Sequence, residues 1–202
     1  MHRQKLFFLI LLSVVIATLV TVSHAKGWST AGVLRFLSTG ARPPANKHVD
    51  NNANAPLAPE LVPGSWINSK ALTLKELRGQ VVLVDFWTFG CYNCRNTLPS
   101  IKSWDARYRD KGLTVIGVHT PEFDEERETE NLKRQVAELG LTYPVVTDND
   151  YATWKAYGVE AWPTVFVLDK SGRIRFQHVG EGAYSEIEAV IQKLLAEEIT
   201  KE

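Results

Sequence analysis

Two cysteines stand in 202 residues, Cys91 and Cys94, three positions apart. A tight pair with no other cysteine to bridge reads as a redox dithiol rather than a scaffold of disulfides. Cys91 follows an apolar run, Val81 to Trp87, and opens a stretch with helical periodicity. At a helix N-terminus, unpaired backbone N–H groups and the helix dipole favour an anion, so the Cys91 thiolate is favoured over the thiol. Cys94 would lie one turn inside the same helix, placed to attack a mixed disulfide formed on Cys91. The expected division of labour is attack by Cys91 and resolution by Cys94, with this disulfide the sole redox group and no separate cofactor. Structural zinc would need a second ligand pair, and the histidines at 2, 24, 48, 119 and 178 do not supply that spacing. Covalent haem would need His after the second cysteine, where this chain has Arg95. A static disulfide is the remaining alternative, but so short a loop restricts the unfolded chain little.

Asp85 is the single charge in Val81-Val82-Leu83-Val84-Asp85-Phe86-Trp87. If both faces of that strand are covered, desolvation raises its pKa and makes it a proton acceptor near neutrality, suited to deprotonating Cys94 directly or through water. The alternative is an Asp facing solvent from a strand edge. His119 and Glu122 follow a second apolar run at the same end of the sheet, where they could tune Cys91 or touch substrate, or merely cap a loop. Arg95 adds positive charge near the pair or is a solvated helix residue. Pro163, after Trp162, opens a strand; alone it reads as an ordinary strand-starting proline.

The elements that must hold these residues alternate strand and helix. Val81–Trp87 and Leu113–His119 read as buried strands, parallel because the helix between them makes a right-handed crossover. That helix runs from about Tyr92, with Leu98, Ile101, Trp104 and Tyr108 on one side, to Gly112. Thr73-x-x-Glu76 reads as a capping box opening a short helix, and Asp124 as the cap of a helix ending at Gly140. Tyr143–Thr147 is a short strand and Ala152–Tyr157 a short helix. Pro163–Leu168 and Arg173–Val179 form a hairpin around Asp169-Lys170-Ser171-Gly172. Ser185-x-x-Glu188 reads as the cap of a last helix with Ile187, Val190, Ile191, Leu194 and Leu195 buried.

Upstream, His2, Arg3 and Lys5 precede an uncharged run from Leu6 to Val22, followed by Ser23-His24-Ala25. Residues 1–25 are therefore expected to be a signal peptide or a signal anchor, with residues 6–22 as a membrane tether and the rest extracytoplasmic. Five of the nine prolines fall between Pro43 and Pro63 among several asparagines. Residues 26–60 thus read as a Pro/Asn-rich linker, with a short amphipathic turn at Trp28–Leu37, and 61–202 as one folded domain. Lys+Arg and Asp+Glu balance at 23 each, which leaves no electrostatic footprint for nucleic acid.

Val82-Leu83-Val84-Asp85-Phe86-Trp87-Thr88, Cys91-x-x-Cys94 with Pro99, Gly117-Val118-His119-Thr120-Pro121-Glu122-Phe123 and Trp162-Pro163-Thr164 together resemble the thioredoxin family. More narrowly they are similar to the membrane-tethered TlpA/ResA-like thiol–disulfide oxidoreductases, especially a DipZ-like branch. The resemblance runs from about Leu61 to Glu198. It implies an α/β thioredoxin fold, a central mixed sheet flanked by helices, here with an N-terminal extension and an inserted α(β) unit. It further implies a cis Pro163 packed against the cysteines and a kink at Pro99. Substrate contacts are implied at Trp162, Pro163 and Thr164, and at Tyr92 and Asn93. The implied partners are disulfides of exported proteins, apocytochrome c among them, and a transmembrane thiol electron donor.

The chain also departs from these relatives. Gly90 replaces the Trp that thioredoxins carry before the first cysteine, and Tyr92-Asn93 replaces their Gly-Pro. Thr97 stands where TlpA/ResA-like proteins carry Glu, and Asp85 where they carry Asn. Three other functions compete. A peroxiredoxin-like peroxidase usually has Pro and Thr seven and three residues before its cysteine; Thr88 fits but Val84 does not. A non-catalytic binding module on the same fold would have no need of the cysteine pair and Asp85. A copper chaperone of this fold would space its cysteines one residue wider.

Overall fold

The computed structural model describes residues 47–48 and 55–198. The expected signal or anchor at 1–25, the tether at 6–22 and the turn at Trp28–Leu37 lie outside the described residues. Among the described residues no helix is long and apolar enough to cross a membrane.

In chain order the elements are β1 (Lys47–His48), β2 (Trp66–Ile67), β3 (Val81–Trp87), α1 (Tyr92–Tyr108), β4 (Leu113–His119), α2 (Thr129–Glu138), β5 (Val145–Thr147), α3 (Ala152–Ala156), β6 (Thr164–Leu168), β7 (Ile174–Val179) and α4 (Tyr184–Ala196). The strands form one mixed sheet in the order β1-β7-β6-β3-β4-β5-β2. β3 sits at its centre, parallel to β4 and antiparallel to β6. All seven of its residues are buried, which explains why its sequence is a continuous apolar run rather than an alternating one. Because side chains alternate along a strand, β3 feeds two cores. Val81, Leu83 and Trp87 pack with Leu98, Ile101 and Trp104 of α1, Leu132 and Val136 of α2, and Ile187, Ile191 and Leu194 of α4. Val82, Val84 and Phe86 pack on the opposite side with Leu74, Leu77, Tyr157 and Val159. The same alternation puts Asp85 on the α1 face, in the layer where Cys94 is buried.

Several expected element ends differ. The reciprocal Thr73–Glu76 bonds form, at 3.0 Å and 3.2 Å, yet residues 74–79 make only turns. Gly79, at φ 93°, ends the segment before enough residues accrue to offset helix nucleation. Asp124 caps nothing. It is solvent-exposed, 3.6 Å from Arg127, in a 3-10 turn over Asp124–Arg127, and α2 starts only at Thr129. The final helix begins one residue before Ser185, with Ala183 at its N-cap. Glu188 is taken instead by a tertiary contact that ties α4 to α1. It accepts from Arg107 Nη1 at 2.5 Å, Tyr108 OH at 2.6 Å and Trp104 Nε1 at 3.2 Å. Those bonds, Arg107's first, pull its carboxyl down to about 2.

The domain also begins earlier than Leu61. β1 pairs antiparallel with β7. Ala55 is buried, Ile174 N–H donates to Pro56 O at 2.9 Å, and Ala58 N–H donates to Gly172 O at 2.9 Å. The hairpin beside β7 leaves backbone groups that need partners, and the end of the Pro/Asn-rich segment supplies them.

Candidate active site

Cys91 and Cys94 are joined as a disulfide at the start of α1. Cys91 is the N-cap, its Sγ accepting the Cys94 N–H at 3.1 Å. The two sulfurs differ in access: Cys91 is half-buried, whereas Cys94 is 1% exposed. An incoming thiol or disulfide can therefore reach Cys91 and not Cys94. Between them Tyr92 and Asn93 face solvent, Tyr92 at 76% exposure. Pro99 lies inside α1.

Asp85 is 1% exposed, and burial pushes its carboxyl up to about 7. No hydrogen-bond partner reaches its Oδ1. On either side it pairs in register with Gly117 of β4 and Val165 of β6. A Cβ at Gly117 would lie 2.8 Å from Trp87 Nε1 and 3.2 Å from Tyr143 Cε2. Both rings therefore sit over the residue beside Asp85, and the Trp87 Nε1 and Tyr143 OH groups are likewise buried without a partner. Burial first, and the charge of Asp85 second, raise the Tyr143 phenol well above its ordinary value. The result is a small polar cluster within an apolar core, on the face that carries Cys94.

The remaining candidates lie in α1, at the end of β4 and the start of β6, and in the segments next to these strands. His119 is fully buried, with Nε2 3.2 Å from Thr88 Oγ1 and its ring stacked on Phe89 at 5.4 Å. Burial pulls it down to about 4, so it is neutral at physiological pH and fastens the β3–α1 loop from below. Arg95 is exposed and bridges that loop to α2, donating to Phe89 O at 2.9 Å and Gln135 Oε1 at 3.3 Å. Glu122 faces solvent, and its backbone N–H donates to Glu126. The Trp162–Pro163 bond is cis. Trp162 packs at the margin of the same core cluster as Cys91, its Nε1 donating to Thr120 O at 3.1 Å. Its ring lies 4.4 Å from that of Trp154. Thr164 is buried, its hydroxyl donating to Ala161 O at 2.7 Å.

Glu126 is the residue that sequence reasoning missed. It is 1% exposed and accepts backbone N–H groups from Gly90 at 2.7 Å, Glu122 at 2.6 Å and Phe123 at 3.0 Å. Burial would raise its carboxyl, but these bonds and one from the Thr88 hydroxyl outweigh it and leave the carboxyl below its ordinary value. Nothing distinguishes it in Asp124-Glu125-Glu126-Arg127-Glu128, which reads as a solvated surface. Only the tertiary approach of Gly90 does.

An accessible helix-capping cysteine, a buried partner one turn on, a buried acid in the same layer and a cis-proline make up a site of the kind found in thioredoxin-like thiol–disulfide oxidoreductases. The chain belongs to the AhpC/TSA family, which matches residues 60–177. It is 43% identical over 133 residues to the protein DipZ of Mycobacterium tuberculosis, an alignment covering 64% of this chain and 19% of DipZ. The chain thus spans about a fifth of that relative. It is also 30% identical over 134 residues to the thiol-disulfide oxidoreductase YkuV of Bacillus subtilis, covering 66% of this chain and 89% of YkuV. The crystal structure of a thiol-disulfide isomerase from Corynebacterium glutamicum superposes with a TM-score of 0.66 at 30% identity, over 72% of this chain and 99% of that one.

Proposed function

We propose that this protein reduces or exchanges disulfides of exported proteins on the outer side of the cytoplasmic membrane, tethered by residues 6–22 and recharged by a transmembrane thiol donor. The carrying observation is the unequal access of the two sulfurs. In the dithiol form the Cys91 thiolate attacks a substrate disulfide, forms a mixed disulfide and expels one substrate thiolate. Cys94 gives its proton toward Asp85, attacks Cys91 Sγ and releases the second substrate thiolate. Two electrons pass to the substrate and the Cys91–Cys94 disulfide remains; the donor dithiol then reduces that disulfide back to the dithiol and is itself left as a disulfide. Trp162, with Tyr92 and Asn93, would contact the extended substrate strand, whereas Pro163 and Thr164 are buried. Export is supported by the basic head and apolar run at residues 2–22. Resemblance to the TlpA/ResA-like group makes apocytochrome c a substrate to test first.

The test is trapping in cells. Full-length Cys94→Ser protein should accumulate mixed disulfides with exported cysteine-bearing proteins, identified by mass spectrometry. Adducts confined to cytoplasmic proteins would overturn the location, and peroxide consumption without disulfide reduction would transfer the site to peroxidase chemistry.

A further inference from the structure

The loop between β3 and α1, residues 88–90, is seated on a buried carboxylate. Glu126 Oε1 takes the Gly90 N–H at 2.7 Å, while Oε2 takes those of Glu122 and Phe123 at 2.6 Å and 3.0 Å. Every group facing it here is a donor, which calls for an acceptor-only side chain, an ionised carboxylate. A glutamine would set its own NH₂ against one of these N–H groups. Gly90 is part of the same fit, because a Cβ there would lie 2.5 Å from Glu126 Oε1. The carboxylate is thus hydrogen-bonded to the Phe89–Gly90 peptide, one residue ahead of Cys91, with water excluded.

We infer that Glu126 sets the reducing strength of the Cys91–Cys94 pair: it seats the loop before Cys91, and its fixed negative charge opposes the Cys91 thiolate that the α1 N-terminus favours. The inference rests on the dithiol reading of the site. A group that disfavours the thiolate disfavours opening of the disulfide, so the dithiol becomes a stronger reductant. The other charges facing this point are few. Arg95 on α1 donates to Phe89 O, and Arg127 on Glu126's own turn pairs with Asp124. Glu122 and Glu125 are exposed, and His119 at the end of β4 and Asp85 on β3 are buried. Glu126 is the buried acid hydrogen-bonded to the loop itself.

The test compares wild-type full chain with Glu126→Gln and Glu126→Asp. The Cys91 titration is followed by thiolate absorbance, and the dithiol–disulfide equilibrium is measured in glutathione buffers. In Glu126→Gln, thiolate formation should become about tenfold more favourable. The exchange constant should move by up to about tenfold toward the oxidising side, equivalent to about 30 mV for a two-electron couple. Glu126→Asp keeps the charge but withdraws it, so its shift should be in the same direction and only about two- to threefold. Lost stability with both equilibria unmoved in Glu126→Gln would make Glu126 a loop fastening only. Equal shifts in the two variants would assign the effect to loop geometry rather than charge. Should Glu126→Gln fail to fold, Glu126→Asp decides alone: no shift, or a less acidic Cys91, overturns the inference. Glutathione exchange needs no protein substrate. A wild type inert toward protein disulfides would therefore count against the proposed function and leave this comparison valid.

Discussion

Replacing Asp85 by Asn should make the oxidised protein more stable, by an amount that grows with pH. A carboxyl held at about 7 in the folded protein, against about 3.9 in an unfolded chain, is favoured protonated by the fold. Below about pH 4 both states bind the proton and Asp85 costs nothing in charge. Between about pH 4 and pH 7 the unfolded chain ionises and the folded one does not, so wild type loses stability relative to the variant. Above pH 7 the loss is complete. A gap of about three pH units, at about 1.36 kcal/mol each, sets it at about 4 kcal/mol, with roughly half of that reached near pH 5.5. The Asn amide adds a pH-independent offset for its own buried polar atoms. The slope therefore carries the test, not the level. Urea midpoints of both proteins from pH 4 to pH 8, kept oxidised so that no thiol titrates, give the difference directly. Every other group titrates alike in the two and cancels. A difference that stays flat across this range would refute the buried-acid account.

His119 predicts the opposite limb. Its folded value of about 4, below about 6.5 unfolded, means that stability is lost as pH falls between these values, by up to about 3 kcal/mol. His119→Gln should flatten that acid limb in the same urea series. Starting the chain at residue 61 rather than 55 removes the Pro56–Ile174 and Ala58–Gly172 backbone bonds and the buried Ala55. At about 1 kcal/mol per bond, the shorter fragment should unfold with a stability lower by about 2–3 kcal/mol, while still folding cooperatively. Equal midpoints would return that segment to the linker.

Much of this was legible because it is local. The continuous apolar run of β3 announced a strand buried on both faces, and a lone Asp85 inside it announced a desolvated acid. The periodicity of Leu98, Ile101 and Trp104 placed Cys91 at a helix start. What failed depended on contacts distant in sequence. Glu188 fits a capping box by spacing, yet Arg107, Tyr108 and Trp104 reach it from another helix. Asp124 and Glu126 look alike in an acidic stretch, and the fold exposes one and buries the other under Gly90. Tyr143 and Trp87 meet Asp85's neighbourhood only because Gly117 leaves room for both rings. No spacing rule encodes that.

The central claim, attack by Cys91 and resolution by Cys94, is tested most directly by comparing turnover and adduct formation with one protein disulfide such as insulin. Wild type should turn over. Cys91→Ser should neither turn over nor form an adduct, since its remaining thiol is 1% exposed. Cys94→Ser should stop after a single attack, leaving one mixed disulfide per chain through Cys91. Near-wild-type turnover by Cys91→Ser, or a Cys94→Ser protein that forms no adduct, would contradict the assignment of both sulfurs.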